Sequence, residues 1–178
     1  MNPVTISAAP MSLEELLAIV NGASVQLDET ARDRIAASRA VVDRVLSSGQ
    51  AVYGLNTQVG HGKDTRLSEE EIRGQQHWLV MTHAGGFGPP LPIADVRAAL
   101  AVRLNGIARG GSGASLAAAD TLVAMLNAGV HPLVPRTASV GGGRGGERNG
   151  ALAAGPGAPA AYPSPGDGHV ASSFAARA

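Results

Sequence analysis

The 178-residue chain has no cysteine. That excludes a disulfide frame, a thiol nucleophile and a thiolate metal site. Aromatic residues make up only 3% of the chain, so a core must rest on leucine, valine, isoleucine and alanine. Basic and acidic residues balance at 14 each, and this neutrality argues against nucleic acid or an anionic membrane as a partner. No apolar run approaches the roughly 20 residues that a membrane-spanning helix needs. Met1 to Met11 has neither a basic start nor an apolar stretch, so it does not read as a secretory signal. A soluble cytoplasmic protein is the expectation, and the length suffices for one domain with a real core.

What is present reads mainly as helix with minor short strands. Val4-Thr5-Ile6 and Val25-Gln26-Leu27 alternate as short strands do. Between them, Ser12 and Glu15 form a capping-box pattern for a helix reaching about Val20, ended by Asn21-Gly22. Asp28 should cap a helix over about Glu29–Leu46. Ala31, Ile35, Ser38, Val42 and Val45 form its inner stripe, and Arg39 and Asp43 can pair at i,i+4. Ser68 and Glu71 form a second capping box, for a helix reaching about His83. The Gly and Pro residues from Gly85 to Pro90 break the chain. Pro92 can occupy the first turn of a helix whose stripe is Val96, Leu100, Leu104 and Ile107. After Gly110-Gly111-Ser112-Gly113 a last helix, about Ala114–Asn127, should bury Leu116, Ala119, Val123 and Leu126. Pro132 and Pro135 then keep the chain extended.

From residue 141 the composition changes. Glycine, alanine and proline account for 24 of the 38 residues at 141–178, and the large apolar residues there stand alone. Such a segment buries too little surface to offset its ordering entropy. The expected division is therefore a folded module over 1–141 and a disordered tail over 142–178.

Several chemistries can be weighed on spacing. His61, His77, His83 and His131 include no i,i+3 or i,i+4 pair, which speaks against a metal site. Gly60-His61-Gly62-Lys63 lacks the earlier glycine and the following Ser or Thr of a phosphate loop. Gly111-Ser112-Gly113 lacks the frame of a nucleophile elbow. Arg109 is placed to meet an anion, although arginines at helix ends more often face solvent. Tyr53 is one of two tyrosines and lies in Y-G-L-N-T-Q-V-G, a polar loop with glycines at 54 and 60. It reads either as an ordinary loop tyrosine or as a positioned phenol.

Three later stretches bear on that choice: L-V-M-T-H-A-G-G-F-G-P-P-L-P at 79–92, R-L-N-G-I-A-R-G-G-S-G at 103–113 and L-N-A-G-V-H-P-L-V-P at 126–135. With the Tyr53 loop, and in this order, they resemble the N-terminal part of the aromatic amino acid ammonia-lyases, over roughly Val4 to Gly141. The resemblance implies the N-terminal helical module of a homotetrameric carbon–nitrogen lyase. Such enzymes eliminate ammonia from an aromatic amino acid and leave an α,β-unsaturated acid. It implies Tyr53 as the catalytic base and His83 as the residue contacting the substrate side chain, as in the histidine and tyrosine enzymes. It also implies an electrophilic methylidene-imidazolone made autocatalytically from Ala-Ser-Gly.

Three departures qualify this. Gln58-Val59 stands where many members carry Gly-Phe, and His77-Trp78 is atypical. The family continues S-V-G-A-S-G-D-L-A-P-L, whereas here Ser139-Val140-Gly141 is followed by Gly142-Gly143-Arg144. The serine that must lose water is missing, so no cofactor is expected in this chain. A frameshift in a GC-rich gene would produce such a switch, and reading the other frames beyond Gly141 tests that. The expected protein is a truncated lyase module of histidine or tyrosine type, inactive alone. The other readings are a non-catalytic module binding an amino acid or a partner, and a non-functional truncation product.

Overall fold

The structure, a computed structural model, describes residues 2–83 and 86–138. The expected boundary at 141 and the disordered tail lie outside the described residues. The first unit is strand, helix, strand: β1 (Val4–Ile6), α1 (Leu13–Val20) and β2 (Val25–Leu27). The strands pair in parallel with Val4 opposite Val25, the pairing a helical crossover allows. The predicted capping box is formed. Ser12 Oγ accepts from the Glu15 N–H at 3.2 Å, and the Glu15 carboxylate accepts from the Ser12 N–H at 2.7 Å.

Helix α2 (Glu29–Ser48) starts on Asp28, whose carboxylate accepts from the Ala31 N–H. It runs two residues beyond the sequence expectation because Gly49 adopts the left-handed cap conformation, at φ 67°. Ala31 and Ile35 are buried on its stripe, and Arg39 pairs with Asp43 at 2.7 Å. Helix α3 (Glu69–His83) opens on the second capping box, which draws the Glu71 carboxyl below its ordinary range through the Ser68 N–H and hydroxyl.

Strand β3 (Gly86–Pro90) lies where the sequence suggested only a break. It pairs antiparallel with β4 (Pro135–Ala138), with an irregularity between Phe87 and Pro90. Proline favours extended backbone and is tolerated in such a ribbon when no partner needs its missing N–H. Gly86 belongs there on steric grounds, because a Cβ would sit 2.7 Å from the Pro135 ring.

Helix α4 (Ile93–Ala108) is the centre of the packing. It buries Val96, Leu100, Leu104 and Ile107, as its stripe predicts, together with Arg97, Ala101 and Ala108. Helix α5 (Leu116–Ala128) packs beside it and starts later than expected, because Ser115 is the cap and accepts from the Ala118 N–H. The glycine-rich turn between these helices lies against α2. Gly113 has φ 66° and donates to Ser38 Oγ at 3.0 Å, and a Cβ there would stand 2.5 Å from Val42 Cγ2.

Three polar side chains tie the first unit to α4 and α5. Asn105 accepts from the Met11 N–H and donates to the Ser7 and Ala9 carbonyls. Asn127 takes both the N–H and the carbonyl of Val25. Arg97, only 6% exposed, donates to the carbonyls of Ile19, Ala23 and Leu126, and its Nη1 lies 3.3 Å from His131 Nε2. Arginine has no acceptor, so this contact is a hydrogen bond when His131 is neutral with a bare Nε2.

Burial, reinforced by the Arg97 charge, holds the His131 pKa below its ordinary value of about 6.5. A histidine depressed in the folded state favours folding while it is neutral. Its contribution is complete above about pH 6.5 and is lost as the pH falls through that value toward the lower folded pKa. The melting temperature is expected to fall on acidification from pH 7 to 5, and less so in His131→Gln, whose amide oxygen accepts at any pH. An equal fall in both proteins, followed by circular dichroism, contradicts this.

The core side chains come from β1, α1, β2, α2, α4, α5 and the approach to β4, with further contributions from flanking loops. Among the described residues, none between Gly49 and Pro90 belongs to it. The described part of that stretch, chiefly the tyrosine loop, is a lobe whose described side chains lie outside the core cluster. Leu13, Leu17, Trp78, Phe87 and Ile93 are exposed. Among the described residues no helix is long and apolar enough to cross a membrane.

Candidate active site

The tyrosine loop begins where Gly49 turns the chain out of α2 and ends where Ser68 caps α3. Its two ends are fastened together. Arg66 Nη1 donates to the Gly49 carbonyl at 2.8 Å, the Leu67 N–H donates to the Asn56 carbonyl at 3.1 Å, and Thr57 forms an isolated antiparallel bridge with Arg66. A short 3-10 turn over Gly60–Gly62 folds the far side of the loop back. Gly54 and Gly60 both have positive φ, 72° and 64°, which explains glycine at each.

This folding brings Gly60 back onto Tyr53. The Gly60 N–H donates to the Tyr53 hydroxyl oxygen at 3.2 Å, a contact between residues seven apart. The ring itself is 65% exposed. The phenolic oxygen is therefore held in place, yet open to a molecule arriving from solvent. A backbone N–H aimed at an oxygen is also what steadies negative charge developing there. An oriented phenol of this kind is suited to taking or giving a proton.

The other predicted site residue, His83, is the last residue of α3. Its side chain lies outside what is described. Gln58 is exposed and Val59 half-buried, with Val59 Cγ1 packing toward Gly54. His61 and His77 are exposed. Arg109 caps the end of α4 in an exposed position, as expected of a helix-end arginine. Among the described residues no three His, Asp or Glu side chains are grouped to hold a metal. A small cavity lined by residues from Val4 to Met11, Glu15 and Asn105, and an open groove beside Arg34 and Arg109, both lie away from Tyr53.

Sequence reasoning singled out Tyr53 and the hydrogen-bonding groups of Asn56, Thr57 and Gln58, but not which backbone groups they hold, and it passed over Arg66. The available signal was a dense run of uncharged hydrogen-bonding side chains beside two glycines.

Comparison with known proteins places this geometry in context. A model of the aromatic amino acid lyases matches residues 11–143. Histidine ammonia-lyase of Salmonella schwarzengrund is 39% identical over 142 residues, covering 79% of this chain and 28% of the relative. Ergothionase of Treponema denticola, solved with desmethyl-ergothioneine sulfonic acid, superposes with a TM-score of 0.75 at 30% identity, over 78% of this chain and 28% of that one. Histidine ammonia-lyase of Trypanosoma cruzi gives 0.72 at 30% identity, over 78% and 27%. The chain thus spans little more than a quarter of the length of the relatives it matches.

Proposed function

The chain belongs to the aromatic amino acid lyase family, and we propose that it carries the base-bearing part of a carbon–nitrogen lyase. The reaction is elimination of ammonia from an aromatic amino acid to give an α,β-unsaturated acid. Histidine is the favoured substrate, because the 39% identical relative is a histidine ammonia-lyase and a 30% identical structure is another. In this reading Tyr53 removes the β-proton and His83 meets the substrate side chain. The observation that supports it is that Tyr53 is exposed while its hydroxyl is held by the Gly60 N–H.

The residues at 142–144 do not fit the family's electrophile. Gly142-Gly143-Arg144 has no hydroxyl to eliminate, so it cannot yield an exocyclic methylene. A base alone contributes only about 10²–10⁴-fold. The 178-residue chain is therefore proposed to be inactive by itself, and the family's assembly of four subunits is proposed for the longer relatives rather than for it.

The test is direct. The purified chain is incubated with histidine, tyrosine and phenylalanine while ammonia and the absorbance of urocanate, coumarate and cinnamate are followed. No product is expected, together with no near-ultraviolet band of a methylidene-imidazolone and no loss of two waters from the intact mass. Product formation that disappears in Tyr53→Phe overturns the proposed inactivity.

A further inference from the structure

Two side chains that the elimination chemistry does not use hold the backbone on either side of Tyr53. The N–H of Val52, the residue before it, donates to Asn56 Oδ1 at 2.8 Å. The N–H of Gly54, the residue after it, donates to Thr57 Oγ1 at 3.3 Å. Each side chain is itself held by a second bond. Asn56 Nδ2 donates to the Gln50 carbonyl at 2.7 Å, and the Thr57 hydroxyl donates to the Gln58 carbonyl at 2.9 Å. These second bonds fix which way the amide and the hydroxyl face, so the acceptors stay aimed at the two N–H groups.

Thr57 is 4% exposed, one of two buried polar residues in the described chain. Its described hydrogen-bond partners, Gly54 and Gln58, both lie within the loop. A buried, fully paired hydroxyl is a strong constraint on local shape. Both its donor and its acceptor functions are used, and losing either leaves a polar group unpaired.

We infer that Asn56 and Thr57 are positioning residues of the base: by clamping the peptide groups before and after Tyr53 they set where its hydroxyl lands, on the Gly60 N–H. The ring position follows from the backbone, because Tyr53 itself is 65% exposed and has little packing of its own to direct it. Arg66 completes the frame by holding the Gly49 carbonyl, so the clamp is anchored at the exit of α2. The catalytic meaning of this clamp rests on the reading of Tyr53 as a base, while the clamp itself is a statement about geometry.

The experiment reads the Gly60 amide in the intact 178-residue chain by nuclear magnetic resonance, through its hydrogen exchange and chemical shift. The hydroxyl of Tyr53 is the acceptor described for that N–H, so Tyr53→Phe defines the unclamped value. Loss of one net hydrogen bond is expected to speed Gly60 exchange roughly fivefold. Thr57→Val and Asn56→Ala should each reach the Tyr53→Phe value, and Thr57→Ser, which keeps the hydroxyl, should retain the parent value. Adding Thr57→Val to Tyr53→Phe should change Gly60 no further, the mark of a residue acting through the tyrosine. The Leu100 and Leu104 amides in α4 report whether the core is intact. If Thr57→Val disturbs them, Asn56→Ala decides alone. Unchanged Gly60 exchange in Asn56→Ala and Thr57→Val, or effects that add to Tyr53→Phe, overturns the inference. Failure of the base reading looks different: a lyase with its electrophile restored keeps its turnover in Tyr53→Phe, whatever Gly60 does.

Discussion

Arg97→Met is expected to lower the melting temperature of the helical module by roughly 10–20 °C, the largest stability effect of any single polar substitution in the fold. The guanidinium is buried without a carboxylate. Its partners are the carbonyls of Ile19 and Leu126, within the last turns of α1 and α5, and of Ala23 beyond α1. Carbonyls at helix ends lack partners within the helix and carry the negative end of the helix dipole, so a cation among them satisfies both needs. Methionine fills a similar volume but donates nothing. Three carbonyls would then lose a charged donor, each loss costing about 1–2 kcal/mol after partial access of water. The sum, about 3–6 kcal/mol, is a large share of the roughly 5–15 kcal/mol that keeps a domain folded. Lysine retains the charge but not the fork, and Arg97→Lys should fall between the two. Thermal unfolding followed by circular dichroism measures the shift. A change of only a few degrees in Arg97→Met would show that water replaces the guanidinium at little cost.

Arg97 also shows what the sequence conceals. The helices were legible because their signals are local. Ser12 with Glu15, Asp28, and Ser68 with Glu71 each satisfy helix-end N–H groups within three residues, and each cap is present in the structure. The stripe of α4 was legible for the same reason. Arg97 falls on that buried face, in line with Ala101, Leu104 and Ala108, but a charge there is assumed to be solvated until its partners are known. Those partners lie as far as 78 residues away. Asn105 and Asn127 were hidden in the same way, since each binds backbone more than 90 residues distant. Strands β3 and β4 were missed because glycine and proline signal a break and carry no alternating pattern, while their pairing is long-range. The tyrosine loop lies between these cases. Its glycines announced a turn, but the return of Gly60 to Tyr53 depends on the whole loop closing on Arg66.

Restoring the family's sequence after Gly141 is expected to turn this chain into an active ammonia-lyase, and Tyr53→Phe in that restored protein should lower kcat about 10²–10⁴-fold. Two features of the structure lead to this expectation. The residue proposed as the base is already held, with the Tyr53 oxygen 3.2 Å from the Gly60 N–H. The surroundings that would enclose it are not in place, since Tyr53 is 65% exposed. A proton transfer that must compete with water needs the substrate enclosed and oriented beside the base. In relatives more than three times as long as the matched stretch, there is ample chain to cover this lobe. Writing Ala-Ser-Gly into positions 142–144 alone should therefore give no activity, because it supplies a precursor without an enclosure. The loss in Tyr53→Phe should fall mainly on kcat rather than KM, since the phenol acts on the proton and does not grip the substrate. The steady-state rates of urocanate formation from histidine by the restored protein and its Tyr53→Phe variant decide the matter. Equal kcat values would remove Tyr53 from the role of base and leave it a loop tyrosine held in place by its neighbours.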